Sequence, residues 1–362
     1  MEVIHGQHAT ADSEPGAPGW ISRRDRRSFL RRSAGFGLAL PFAVPAIAAA
    51  QEEHGADSAE GDHGEESAAA HTEAPVASSP TQPFARFDPL LAPVEPGPKT
   101  FDVVARDVVR YVADDVACAG WSFDGTIPGR VFRVVEGDEI DVTFRVDPAA
   151  NAHHSLDFHA AKTPPDKNFR TIEPGEELSW SFVAKHPGAY MYHCGTPRIL
   201  MHIGAGMYGA IIVDPKEGWP EAQELIFVQS DLYLKEGSGG VKVPDYERMR
   251  GAGAMDYVVF NGHADQYVTE PIPVKAGEPV RLFVVNAGPN VWSSFHVVGT
   301  VFDRVCVNAN PKNELFSLQS WTIGPGDGAC FEFTLDEPGI YPAVNHAFGH
   351  ADHGAVALLQ AE

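Results

Sequence analysis

Pro187-Gly188-Ala189-Tyr190-Met191-Tyr192-His193-Cys194 is the stretch that decides the fold. A Pro-Gly turn opens it, an apolar and aromatic run follows, and it ends on an imidazole and a thiol. Aromatic residues bounded by turn formers favour a short strand. The same opening returns in the second half as Pro338-Gly339-Ile340-Tyr341. Val135-Glu136-Gly137-Asp138 before Glu139 to Val146 likewise matches Lys275-Ala276-Gly277-Glu278 before Pro279 to Val285, and Pro174-Gly175 matches Pro325-Gly326. A repeat one domain long signals a duplicated β-sandwich rather than a solenoid.

The strands of the first half read as Phe101 to Val112, Val131 to Val135, Glu139 to Val146, Glu177 to Val183 and Tyr208 to Val213. Asp124-Gly125, Glu136-Gly137 and Pro174-Gly175 mark turns between them. The strands break at Asp214 to Glu221, so residues 99–216 are expected to form domain 1 and residues 217–362 domain 2.

Composition agrees. The chain has 362 residues, 44% hydrophobic, with 35 Gly and 29 Pro. That suits packed cores and many short strands joined by turns. A formal net charge of -22 argues against nucleic acid as a partner, because phosphate backbones demand positive charge. It suits solubility, a basic protein partner or a small substrate. Four cysteines in so long a chain do not make a disulfide scaffold.

Residues 1–50 read as an export signal. Arg26-Arg27-Ser28-Phe29-Leu30-Arg31 is a twin-arginine signature, an apolar run spans Ala34 to Ala48, and Ala48-Ala49-Ala50 offers a cleavage site. The run is short and broken by Pro41 and Pro45, so cleavage is expected rather than a retained anchor. The mature chain is therefore expected in the periplasm or an equivalent extracytoplasmic space, with no membrane span. Residues 51–98 are rich in Ala, Glu, Ser, Pro and Gly, with no aromatic before Phe84. They read as a disordered acidic linker, in which His54, His63 and His71 are solvated.

Chemistry gathers at the end of the opening stretch. His193-Cys194 is followed by His202 and then Met207, and His154 lies upstream on another expected strand. Two imidazoles, a thiolate and a weak thioether, His154, Cys194, His202 and Met207, form a blue-copper (type 1) ligand set. The thiolate favours Cu(I), and a geometry shared by both oxidation states keeps reorganisation small. Such a loop closing one end of a sandwich predicts an all-β chain of two tandem cupredoxin-like Greek-key β-sandwich domains. Met201 is expected to be core filler.

Side chains alternate faces along a strand. His154 and His159 are five apart and diverge, Asp157 and His159 share a face, and the neighbours His193 and Cys194 diverge. With His154 and Cys194 turned inward, Asp157, His159 and His193 point outward together. Two outward imidazoles with an open position suit a second, catalytic metal. The repeat offers a third imidazole, His346, beside Asn345, which stands where domain 1 has Cys194.

From about residue 99 onward the chain resembles the copper-containing nitrite reductases. The likeness is carried by Trp121-Ser122-Phe123-Asp124-Gly125-Thr126-Ile127-Pro128-Gly129, His154-Ser155-Leu156-Asp157-Phe158-His159-Ala160-Ala161 and Tyr192-His193-Cys194. It continues through Gly206-Met207-Tyr208-Gly209-Ala210, Phe260-Asn261-Gly262, Ser293-Ser294-Phe295-His296-Val297-Val298-Gly299 and His346. The resemblance implies type 1 copper on His154, Cys194, His202 and Met207. It implies type 2 copper on His159 and His193 of one subunit with His346 of a neighbour, hence a homotrimer. It also implies Asp157 and His296 as an acid–base pair and Val298 as a wall of the substrate pocket. The implied reaction is reduction of nitrite to nitric oxide, with electrons from a small donor protein such as a cytochrome c or a cupredoxin.

The chain departs from the family in Ala161-Lys162-Thr163-Pro164-Pro165-Asp166-Lys167-Asn168, where a Gly-rich stretch is usual, and in His153, His350 and His353. A blue-copper carrier with an idle second site is the alternative outside enzymology. A laccase would need His-X-His pairs; none occurs, and Cys194 is followed by Gly195. Copper stoichiometry separates the three. Cys118, Cys306 and Cys330 read as buried free thiols, and His186 and His263 as structural.

Overall fold

A computed structural model describes residues 74–76, 79–251 and 253–362. The expected export signal and the linker as far as residue 73 lie outside the described residues. Alternating residues build the first sandwich. In Glu139–Val146, Ile140, Val142, Phe144 and Val146 turn inward while Glu139 and Asp141 face water, the period of a half-buried strand.

Its strands are β1 (Lys99–Ala113), β2 (Val116–Phe123), β3 (Phe132–Val135), β4 (Glu139–Val146), β5 (Asp157–Phe158), β6 (Glu177–Val183), β7 (Gly188–His193) and β8 (Tyr208–Asp214). The second half adds β9 (Gln223–Leu232), β10 (Leu234–Glu236), β11 (Lys242–Pro244), β12 (Tyr257–Phe260), β13 (Ile272–Val274), β14 (Pro279–Gly288) and β15 (Ser293–Val297). It closes with β16 (Phe302–Val307), β17 (Glu314–Leu318), β18 (Trp321–Ile323), β19 (Gly328–Thr334), β20 (Gly339–Asn345) and β21 (Val356–Ala361).

The first sandwich packs the sheet β10-β11-β2-β1-β4-β6 on the sheet β3-β8-β7-β5. The second packs β12-β9-β14-β19-β16-β17 on β13-β21-β20-β15-β18. Each has its own core, centred on Phe144, Phe158 and Tyr192 in one and on Phe227, Phe295 and Phe331 in the other. A third apolar cluster lies between them, where Met191, Tyr208 and Ile212 meet Ile226, Phe283 and Val285. β8 is buried along its whole length, which is why Tyr208 to Val213 reads as a near-continuous apolar run.

Two features depart from the expected division. The hairpin β10–β11 lies beyond the boundary in sequence, yet it joins the first sandwich's sheet at Lys242↔Cys118. The linker is ordered over residues 79–98, contrary to the expectation. Gln82 N–H donates to Val109 C=O at 2.7 Å, Phe87 N–H to Gln266 Oε1 at 3.0 Å and Leu91 N–H to Glu224 C=O at 3.0 Å. Phe87 and Leu91 pack on the cluster between the sandwiches, so their apolar area ties down a strap that composition alone reads as free.

Candidate metal centres

β7 carries the opening stretch to the sandwich end and delivers Cys194 just past its last residue. The returning chain forms a short helix, Ile199–Gly204, that buries His202, and Met207 follows it. Backbone pairing closes the loop: Cys194 N–H donates to Met207 C=O at 3.2 Å, and Met207 N–H to His202 C=O at 3.0 Å. His154 comes from the segment before β5, held by reciprocal backbone bonds to Ile172.

The result is a buried cluster. Cys194 Sγ lies 3.9 Å from His154 Nδ1 and 3.4 Å from His202 Nδ1, and the two nitrogens are 3.2 Å apart. The ligand atoms of all three fall within 4.8 Å of one another. Met207 is fully buried in the same apolar cluster as Cys194. Trp121 lies against both rings, 4.6 Å from His202 and 5.3 Å from His154. Ser155 N–H points at Cys194 Sγ, 3.3 Å away.

Burial pushes His154 well below the ordinary histidine range, and His202 and then His153 push it further. Burial pushes the Cys194 thiol up, opposed by donors from Thr196 and Ser155. The His154 ring is therefore neutral, and the sulfur keeps donors that would favour a thiolate if a cation replaced its proton.

The second cluster sits on the outer side of the same strand end. Asp157 pairs directly across from His193 in the β5–β7 ladder, which puts both on one face. His159 Nε2 is 3.0 Å from His193 Nε2, and Asp157, His159 and His193 gather their ligand atoms within 4.8 Å. His193 Nδ1 faces its neighbour's carbonyl, Cys194 C=O, at 3.0 Å. An Nδ1–H donated there leaves the Nε2 lone pair facing His159, the tautomer that a metal at this cluster would require. Burial lowers the His159 pKa, the His193 ring adds to this, and Asp157 and the Gly326 backbone oppose it. β5 is only two residues long, so the alternation does not run along one strand from His154 to His159. The division into a buried and an outer set nevertheless follows the expected parity.

His346, the expected third imidazole, is not gathered into this cluster. It is exposed and sits beside His296, with ring centroids 5.4 Å apart, and beside Phe348 at 4.7 Å. His296 Nδ1 contacts the Gln319 carbonyl, and Val298 N–H is held by Pro342 C=O at 2.8 Å. All four cysteines are free and buried.

Residues 106–218 match the multicopper oxidase family. The copper-containing nitrite reductase of Neisseria gonorrhoeae is 40% identical over 255 residues, covering 69% of this chain and 64% of that protein. That of Cereibacter sphaeroides is 31% identical over 305 residues, covering 77% of this chain and 80% of that protein. The solved copper nitrite reductase of Nitrosomonas europaea superposes with a TM-score of 0.69 at 36% identity, covering 73% of this chain and 94% of that one. The chain belongs to the copper-containing nitrite reductases.

It spans just under two thirds of the first of these relatives. In this chain the donor sets suit the metal in the family's name. A thiolate with two neutral imidazoles and a thioether in a dry apolar shell selects copper over harder ions. Residues that the sequence reading left without a role also serve these clusters. Ser155 and Thr196 bond to the sulfur, and Trp121 walls both inner rings. Ser155 was legible only as the neighbour of His154, and Thr196 only as lying two beyond Cys194. The Trp121 contact arises from the fold, because β2 crosses under the loop.

Proposed function

We propose that the chain reduces nitrite to nitric oxide and water, taking up one electron and two protons. The observation that carries this reading is the pair of clusters joined at His193-Cys194. His154, Cys194, His202 and Met207 would hold type 1 copper. His159 and His193, with His346 of a neighbouring subunit, would hold type 2 copper. When bound, copper supplies the one-electron redox change at the inner set and a Lewis acid at the outer set.

The chain's residues do the rest. His193 and Cys194 are adjacent, so one peptide unit links the clusters, and the His193 Nδ1 contact to Cys194 C=O adds a second, shorter route. Asp157 is half-buried beside His159 and His193, where it can hold a proton for a departing nitrite oxygen. His296 stands beside His346 with Nδ1 on a backbone carbonyl, leaving Nε2 to pass the second proton. Val298, also half-buried, presents an apolar wall. That His346 lies apart from His159 and His193 in one chain supports a homotrimer completing each outer site. The further elements of this reading are twin-arginine export to the periplasm and electrons from a small cytochrome c or cupredoxin.

The test is nitric oxide release from copper-loaded protein given nitrite and a chemical reductant. His159→Ala should keep the blue or green colour and lose nitric oxide production. Mixing inactive His159→Ala and His346→Ala proteins should restore activity after subunit exchange, since some interfaces then carry an intact ligand set. No nitric oxide from wild-type protein holding two coppers per chain would overturn the reading.

A further inference from the structure

The described residues enclose a second feature, a cavity of about 330 Å³ whose lining includes no residue of either metal cluster. It lies under the strap, between β1 and the Asn261-Gly262-His263 turn of the second sandwich. Its walls include Phe84, Arg110, Tyr111, Ile127, Pro128 and His263.

The Arg110 guanidinium reaches this cavity and donates to the Gly262 carbonyl. Among the described residues no ion pair to a carboxylate is formed by it. Behind it stand Tyr208 and Cys118. Burial raises the pKa of both, Cys118 to about 11, so both are neutral and neither offsets the charge. A half-buried cation without a counter-charge carries a desolvation cost, and an anion in the cavity would offset it.

An independent observation lies beside it, at the residue after Gly262. His263 is 6% exposed, and its Nδ1 is buried without a hydrogen-bond partner. Phe84 lies tilted against its ring, centroids 4.1 Å apart, and is itself 47% exposed, so one wall is a single strap side chain over the histidine.

The other charged groups on the lining do not supply the missing partner. Asp88 Oδ1 caps Leu90 N–H at 3.0 Å, and Arg86 pairs with Glu270 at 3.7 Å. The site therefore offers one cation outside any ion pair, one neutral imidazole and apolar walls, with the Asp88 carboxylate also on its lining and those of Asp114 and Asp265 acting on His263. Its volume sits at the small end of ligand pockets, which run from about 300 Å³.

We infer that the cavity binds a small organic monocarboxylate, its carboxylate on Arg110 and the His263 Nδ1–H and its apolar part between Phe84 and Ile127. A dianion would leave charge unmatched, and a bare inorganic monoanion would leave the apolar walls unused. The walls come from the strap and both sandwiches, so an occupant binds only the folded chain and raises its melting temperature.

The experiment is thermal melting of the full copper-loaded protein with butyrate, with chloride or nitrate at equal ionic strength, and with butanol. Butyrate should raise Tm with saturation, while the other three leave it unchanged. Arg110→Gln should abolish the shift. Phe84→Ala, on an exposed strap residue, should weaken butyrate about tenfold by removing apolar contact. Should Arg110→Gln fail to fold, Phe84→Ala and His263→Gln carry the test. Equal shifts with butyrate and chloride, no shift with butyrate, or an unchanged affinity in Phe84→Ala would each overturn the assignment. Nitric oxide production is not part of the readout, so failure here is distinct from failure of the proposed reaction.

Discussion

The loops that close the two sandwiches at Cys194 and Asn345 share a frame and differ in what fills it. Cys194 N–H bonds to Met207 C=O at 3.2 Å, and Asn345 N–H to Ala355 C=O at 3.1 Å. Ser155 N–H points at Cys194 Sγ from 3.3 Å, and Ser294 N–H at Asn345 Oδ1 from 3.1 Å. The frame thus sets Ser293 where the first loop has His154, and Ala355 where it has Met207. His350 stands in for His202, with Asn345 Nδ2 donating to its Nδ1 at 3.0 Å.

The second loop satisfies its polar atoms internally. Asn345 Nδ2 also bonds to Trp292 C=O at 2.9 Å, and Asn345 Oδ1 accepts from Ala347 N–H at 3.2 Å. The first loop does not: its ring nitrogens and sulfur converge on one another, and His154 Nε2 has no partner. The same backbone therefore supports either a self-sufficient hydrogen-bonded plug or a donor set that a metal completes. Side-chain identity at three or four positions decides which.

The largest effect should come from making the first loop resemble the second. Cys194→Asn is expected to remove the visible thiolate-to-copper absorption entirely and bring nitrite reduction to the blank rate. The fold should survive, because Asn345 shows an amide in the equivalent place. A coloured or active Cys194→Asn protein would separate the buried cluster from the chemistry.

The ladders extend the comparison to the outer face. Asp157 pairs with His193 in β5–β7, and Phe295 pairs with Asn345 and His296 with Val344 in β15–β20. Counting from Cys194 and Asn345, Asp157 and His296 occupy equivalent positions, as do His159 and Val298. Each sandwich offers one proton-bearing side chain from the same point of its frame. Asp157→Asn and His296→Asn should each lower kcat by about 10²-fold or more, the scale of a lost general acid. Copper content and colour should stay unchanged. A variant that loses outer copper along with activity would make that residue a ligand instead.

Much of this was legible in the sequence. Glu139 to Val146 and Glu177 to Val183 appear as the same strands in the fold, since period-2 alternation and Pro-Gly turns are local signals. Cys194, His202 and Met207 were legible because one loop carries them. The equivalence of Asp157 with His296 was not legible. Residue likeness aligns Phe158-His159 with Phe295-His296, and only the ladder register separates that match from the true one. The strap was also missed: Phe84, Phe87 and Leu91 are sparse, and their value depends on a groove between sandwiches that no local pattern describes.

A moderate effect should follow from opening the second loop's plug. Asn345→Ala leaves the part-buried His350 Nδ1, Ser294 N–H and Trp292 C=O without their Asn345 partner, each at a cost below the roughly 1–3 kcal/mol of a fully buried group. Tm should fall by several degrees while the colour remains, because the first loop is untouched. Asn345→Cys should bind no second blue copper, since Ser293 and Ala355 supply no ligand of the required kind. Blue absorption doubling in Asn345→Cys would show that the frame alone suffices.

The smallest effect concerns pH. Burial lowers the His350 pKa below its ordinary value, and the neighbouring His353 lowers it further. The folded chain therefore binds fewer protons there than the unfolded chain, whose histidine titrates near about 6.5. Linkage gives the sign: the stability tied to neutral His350 is complete above that pH and is lost as pH falls below it. The physical cause is direct, because a proton on Nδ1 removes the acceptor that Asn345 Nδ2 requires. Melting curves of wild type and His350→Gln between pH 7.5 and 5.5, about one unit either side of that value, should converge on acidification. The variant is less stable at the upper end and nearly equal at the lower. His353 lies beside His350 and lowers its pKa, so His353→Gln should move His350 back toward its ordinary value and shrink the pH dependence without removing it. Parallel curves for wild type and His350→Gln would mean that the second loop holds through Asn345's backbone partners alone, with the imidazole a bystander.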